Sequence, residues 1–218
     1  MEPFNPLSAF FSRVADDLVQ QTPFPHVETH DALPRLYLEK VLLHANRLFS
    51  VRSTRKETLE GSAGRHVFWI SPRSCNALPC ELQDFWQDFY SQMRSSDLRP
   101  LLHHLMFPYL SSVTKQDNLR IDARIVEESV PSRLAAHIDR CDKLLTCIIY
   151  LPSQNDDEAL GTCMYTGPNE RTPVKMSRYV LNQALSFPRT PNSWHGGEWL
   201  NSAPTTRRTL QLFVKCCE

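Results

Sequence analysis

His137 and Asp139 stand two positions apart in the string AAHIDRCDKLLTCIIYLP, and a third metal-capable side chain, His195, follows in PNSWHGGEW. In an extended chain, residues i and i+2 project from the same side. Backbone geometry alone therefore aims the His137 imidazole and the Asp139 carboxylate at a common point. Two histidines and one carboxylate occupy one face of an iron(II) ion and leave the opposite positions open, as oxygen activation requires. A His-x-Asp pair by itself is a pattern that chance readily supplies, and a histidine beside Trp194 is equally at home at the edge of a core. The order of features carries the reading: the pair, a strand-like run, Gly161-Thr162-x-x-Tyr165, Trp194-His195-Gly196, and a basic strand.

That last strand, RRTLQLFV, has a phase. Leu210, Leu212 and Val214 fall on one face, suited to covering helices, while Arg207, Thr209 and Gln211 fall on the other, towards the interior of a barrel. An arginine held inside is costly unless it meets an anion, and its planar fork suits a carboxylate. Phase therefore nominates Arg207 rather than Arg208 as the partner of a buried acid. On Leu144–Leu151 the same alternation sets Thr146, Ile148 and Tyr150 against Leu145, Cys147, Ile149 and Leu151. The second set reads as core, and the hydroxyls of Thr146 and Tyr150 could reach a bound dicarboxylate.

The elements needed to position these groups are legible in outline. Leu7, Phe10, Phe11, Val14 and Leu18 recur at three- and four-residue steps and predict a first helix. A second is expected from about Asp31, as N-cap, with Leu36, Val41, Leu42, Ala45 and Leu48 inward. Leu82, Phe85, Trp86, Phe89 and Met93 mark a third, and 98–110 a shorter fourth. Between them, 51–80 reads as polar loop with one strand near Val67–Ile70; with Phe85–Met93 it is a candidate lid. The second half changes period: 119–126, 144–151, 179–187 and 207–214 are short runs rich in β-branched and apolar residues, separated by Pro, Asn, Asp and Gly. Helices first and strands later predict an α+β domain in which helices cover one face of an antiparallel sheet. The segment 161–173 is expected as a surface loop.

Bulk composition limits the alternatives. The 218 residues suit one domain with a substantial core. Lysine plus arginine equal aspartate plus glutamate at 24 each, so charge suggests no nucleic-acid partner. Seven cysteines without a CxxC spacing make neither a disulfide framework nor a zinc knuckle, and a reduced, cytoplasmic setting fits best. The acidic N-terminal stretch does not read as a signal peptide, and no apolar run approaches membrane-spanning length. Oligomeric state is not readable.

The text HID…LLTCIIYLP…LGTCMY…FPRTPNSWHGGEW…RRTLQLFV, over roughly residues 120–215, resembles the 2-oxoglutarate/iron(II)-dependent oxygenases, in their prolyl-hydroxylase-like branch. TPFPHVETHDALP is similar to the strand that precedes the first long helix of that fold. The resemblance implies a double-stranded β-helix (jelly-roll) core over 120–215 with helices packed on one face. It also implies a single domain over 1–218, with 1–20 as a helical extension. It implies His137, Asp139 and His195 as iron ligands, Arg207 as partner of the distal carboxylate of 2-oxoglutarate, and Tyr150 and Thr146 as further cosubstrate contacts. The cofactor is then Fe(II), with 2-oxoglutarate and O2 as cosubstrates. The reaction is hydroxylation of an unactivated C–H bond in a small molecule, amino acid or peptidyl residue. Related halogenases lack the carboxylate ligand, so Asp139 favours hydroxylation. Ser132-Arg133 stands where relatives often have glycine, which puts Arg133 near the mouth. Trp194 and Phe187 are expected around the metal. Two other readings stand beside this one: a cupin-like metal dioxygenase with no need of 2-oxoglutarate, and a catalytically silent binding protein, against which the intact triad speaks.

Overall fold

The computed structural model describes residues 5–51, 55–57, 64–106, 119–153, 156–199, 202 and 205–216. Helix α1, Pro6–Asp16, starts where the Asn5 side chain accepts a hydrogen bond from the Leu7 amide, and it buries Leu7, Phe10, Phe11 and Val14. It stops two residues short of Leu18, which is 84% exposed rather than on the expected face. Strand β1, Val27–Thr29, follows. Helix α2, Arg35–Ser50, begins after Pro34 and not at Asp31. Asp31 has φ 49°, a left-handed turn conformation, and the Asn182 amide holds both the N–H and C=O of Leu33. The chain is therefore pinned in a turn until proline permits the helix to start. The inward stripe is Leu38, Val41, Ala45 and Leu48, while Leu36 faces solvent.

Strand β3 (Arg65–Ile70) covers the strand expected near Val67–Ile70, while strand β2 (Arg55–Glu57) and the short helix α3 (Pro72–Asn76) lie in the stretch otherwise expected as loop. Helix α4, Cys80–Gln92, buries Leu82, Trp86 and Phe89, and α5, Leu98–Met106, buries Leu98, Leu102 and Met106. Phe85–Met93 belongs to the core under the helices, so it is no lid. Residues 52–54, 58–63 and 107–110 of the expected loop and fourth helix lie outside the described residues.

The second half supplies β4 (Leu119–Val130), β5 (Arg133–His137), β6 (Lys143–Tyr150), β7 (Cys163–Met164), β8 (Lys175–Met176), β9 (Ala184–Pro188), β10 (His195–Glu198) and β11 (Thr205–Cys216). Strand β9 starts later than the run 179–187 suggested, because Asn182 takes φ 62° and turns the chain. The segment 161–173 is also not all surface loop. Gly161 to Tyr165 is buried around β7, and exposure begins at Thr166.

Among the described residues all pairings are antiparallel and build two sheets: β1-β9-β6-β11-β4-β3-β2 and β5-β10-β7-β8. One face of the larger sheet meets the helices through Ile121, Ala123, Ile125, Leu145, Cys147, Ile149, Leu210, Leu212 and Val214. Its other face meets the smaller sheet through Ile148, Tyr150, Leu185 and Phe187, packed with Met164 and Trp199. Period-two alternation on β6 and β11 thus sends alternate residues into two different layers, as their phase predicted. Among the described residues, no helix is long and apolar enough to cross a membrane.

Candidate metal centre

A cavity of about 380 Å³ opens between the sheets, and His137, Asp139 and His195 line it. His137 ends β5, His195 begins β10, and the two stand directly opposite in register, with ring centroids 4.3 Å apart. Asp139 lies just beyond β5, its Oδ2 3.7 Å from His195 Nε2. One ligand-type atom from each of the three lies within 4.8 Å of the others. His195 reaches this position because two glycines follow it. A Cβ on Gly196 would stand 2.4 Å from the Leu134 carbonyl oxygen, and one on Gly197 would stand 2.3 Å from the Trp199 ring. A side chain at Gly196 would push β10 off β5 and separate the imidazoles, and one at Gly197 would displace the Trp199 ring from the cavity wall.

The surroundings prepare these atoms for a cation. His137 Nδ1 lies 3.0 Å from the Ala135 carbonyl and His195 Nδ1 lies 3.0 Å from that of Ser193. Carbonyls only accept, so each Nδ1 donates, and in the neutral ring this tautomer leaves the Nε2 lone pair free for a cation. Burial, then the neighbouring His137, pushes the His195 pKa down to about 4, against the pull of Asp139. Burial alone would raise the Asp139 carboxyl. The His195 and Lys143 charges, with hydrogen bonds from Lys143 and Thr146, outweigh it and hold the pKa at about 2. Lys143 Nζ sits 2.5 Å from Oδ1, Thr146 Oγ1 donates to Oδ2 at 2.6 Å, and Arg189 Nε donates to the Asp139 carbonyl at 2.9 Å. Phe187 packs on His195 at 4.5 Å between centroids. Trp194 is half-buried and gives its carbonyl to the Tyr165 amide, so the tryptophan lining the cavity is Trp199.

Arg207 also lines the cavity and is 3% exposed, whereas Arg208 turns to the other side and pairs with Glu127 at 2.5 Å. The Arg207 fork is already engaged. Its Nη1 donates to Glu128 Oε2 at 2.8 Å and its Nε to the Leu160 carbonyl at 2.6 Å, and the guanidinium lies 4.4 Å from the Trp199 ring centroid. Tyr150 sits one step behind: its hydroxyl meets Thr162 Oγ1 at 2.9 Å and Ser177 Oγ at 2.5 Å. Thr162, not Tyr150, is the residue of that network on the cavity wall. The Thr146 hydroxyl is occupied with Asp139. Arg133, expected near the mouth, is not among the residues lining the cavity and pairs with Glu198 at 2.9 Å. Sequence reasoning missed Lys143, Glu128, Arg65 and Thr162. A signal existed for Glu128, since phase puts it with Val126 and Val130 on the inward face of β4, but not for Lys143, whose phase matches the helix-facing Leu145 and Cys147 and which reaches the cavity where the β6–β11 register shifts.

No family model matches the chain, and no curated protein matches it. Solved structures do. A prolyl-4-hydroxylase of Pseudomonas putida aligns over 97% of this chain and 99% of its own, with TM-score 0.62 and 12% identity. A prolyl hydroxylase of Trichoplax adhaerens, in complex with a hypoxia inducible factor peptide fragment, aligns over 96% and 90%, with TM-score 0.65 and 14% identity. The dioxygenase for auxin oxidation 1 of Arabidopsis thaliana, bound to 2-oxoglutarate, aligns over 100% and 91%, with TM-score 0.58 and 12% identity. This chain therefore has the fold of the 2-oxoglutarate/iron(II) oxygenases, a double-stranded β-helix core with helices packed on one face.

Proposed function

We propose that this chain is an iron(II)- and 2-oxoglutarate-dependent dioxygenase that hydroxylates a C–H bond of a small molecule, amino acid or peptidyl residue. We take it as one catalytic domain acting in the cytoplasm. The observation that carries the reading is the convergence of two imidazoles and a carboxylate within 4.8 Å on the wall of a cavity in this fold. The donor set fits the ion: two neutral nitrogens with lone pairs turned inward and one carboxylate held ionised, an N2O face of the kind ferrous oxygenases use.

His137, Asp139 and His195 would hold the iron. Bound there with 2-oxoglutarate and O2, it supplies the oxidising chemistry that converts the keto acid to succinate and CO2 and hydroxylates the substrate. The chain's own part is placement. Lys143 and Thr146 hold the Asp139 carboxylate in one orientation, and Phe187 supports the His195 ring. Arg207 offers a buried cation for the distal carboxylate, and Trp199 closes over it and excludes water. A volume of about 380 Å³ lies at the low end for ligand sites. Beside a dicarboxylate it suits a single side chain or a small molecule, and the peptide held by the Trichoplax relative is compatible with the first.

One observation favours a second reading. Glu128 already occupies Arg207, as it could in a dioxygenase that uses no 2-oxo acid. Anaerobic addition of iron(II) and then 2-oxoglutarate tests both readings. The expected result is a visible charge-transfer band in the wild type, with much of it lost in Asp139→Ala and Arg207→Glu. A band equally strong in both variants would overturn the assignments. Iron binding with no response to 2-oxoglutarate would select the second reading.

A further inference from the structure

We infer that the anion site is a two-arginine relay: Arg65 and Arg207 share Glu128, and Glu128 passes to Arg65 when an incoming dicarboxylate takes its place on Arg207. The inference rests on the proposed use of 2-oxoglutarate.

Three adjacent strands place these residues in one row. Arg65 on β3 and Arg207 on β11 are each directly opposite Glu128 on β4. All three line the cavity, and they are only 5%, 4% and 3% exposed for Arg65, Glu128 and Arg207. Two positive charges and one negative leave the row with one net positive charge away from bulk water. Such a surplus is costly unless an anion completes it.

The sharing is uneven. Glu128 Oε2 accepts from Arg207 Nη1 at 2.8 Å, and Arg207 has further acceptors in the Leu160 carbonyl and Thr162 Oγ1, the latter at 3.4 Å. Arg65 Nε lies 3.5 Å from Oε1 of the same carboxylate, and that buried Nε has no hydrogen-bond partner among the described residues. A buried guanidinium with an unmet donor is a standing vacancy for a carboxylate oxygen. Both arginines are cross-strand neighbours of Glu128, so a side-chain rotation exchanges them without moving the sheet. After the exchange Glu128 satisfies Arg65, the ligand carboxylate satisfies Arg207, and the row is neutral. Arg65 is then a positioning residue: it draws Glu128 away from Arg207 and so sets the affinity for the dicarboxylate.

The test is calorimetric titration of 2-oxoglutarate into the full-length, iron(II)-loaded protein without oxygen, with iron(II) binding measured separately. Arg65→Gln is expected to weaken 2-oxoglutarate binding by roughly tenfold or more while iron(II) affinity is retained. Glu128→Gln removes the competitor and is expected to tighten binding. The double variant should return towards wild type. A merely structural role for the row would weaken binding in both single variants, so the opposite signs are diagnostic. Arg65→Lys serves if Arg65→Gln does not fold, and it is expected to fall between wild type and Gln. Wild type that binds 2-oxoglutarate, together with an indifferent Arg65 variant or a weakened Glu128→Gln, overturns the relay alone. Wild type that binds iron(II) but no 2-oxoglutarate overturns the proposed function and the relay with it.

Discussion

The two ends of the cavity are built on opposite plans. At the metal end both carboxylate oxygens and the carbonyl of Asp139 are engaged, both imidazole Nδ1 atoms are tied to backbone carbonyls, and an aromatic ring backs His195. At the anion end Arg65 Nε lies 3.5 Å from Glu128 with no hydrogen-bond partner among the described residues, and Arg207 is paired to a protein carboxylate rather than left open. A rigid end suits an ion whose ligands must converge to a fixed geometry. An end with surplus charge and exchangeable partners suits a ligand that comes and goes with each turnover.

Substitutions at the two ends should therefore separate iron binding from dicarboxylate binding. The largest effect is expected for Asp139→Ala, which removes one ligand of three and should weaken iron(II) binding by roughly a hundredfold or more in competition with a chelator. Near-normal iron affinity in that variant would remove Asp139 from the site. Next, Arg207→Gln should weaken 2-oxoglutarate binding by about a hundredfold and leave iron(II) affinity largely intact. An equal loss of both would mean that the two ends are not independent.

Thr146→Val sharpens the division. Its hydroxyl is used by Asp139 and not by the anion end, so the variant should lose about tenfold in iron(II) affinity. If 2-oxoglutarate binding falls while iron binding holds, Thr146 is a cosubstrate contact after all. The smallest effect concerns pH in the metal-free protein. His195 has its pKa lowered to about 4 in the fold and takes the ordinary 6.5 when unfolded. The unfolded chain then binds the extra proton first as pH drops. Stability should be full above 6.5 and decline as pH falls towards 4, by on the order of 3 kcal/mol. Denaturant melts across that range would check this, and a flat profile would show that His195 is not buried as a neutral ring.

Much of this arrangement was legible in the residues because it depends on local periodicity. The alternation of RRTLQLFV sends Arg207 inward with Leu210, Leu212 and Val214 on the far side, whereas β5 ends at His137 and Asp139 reaches the cavity from just beyond it. Helix starts were less legible. Asp31 looks like a cap, but Asn182, far along the chain, holds the turn that delays α2 to Arg35. The candidate lid failed for a related reason: the apolar period of Phe85–Met93 says that a face is buried without saying against what.

Which side chains of one strand share a face was therefore readable from the residues alone: the inward arginine and the two layers of β6 and β11. These follow from the two-residue repeat of a strand, which needs no knowledge of neighbours. Only the tertiary structure decided which charges meet. Placing Arg65 and Arg207 on either side of Glu128, and Lys143 and Thr146 on Asp139, depends on strand register and chain turns. Register between distant segments is set by how whole faces pack, and no local pattern encodes it.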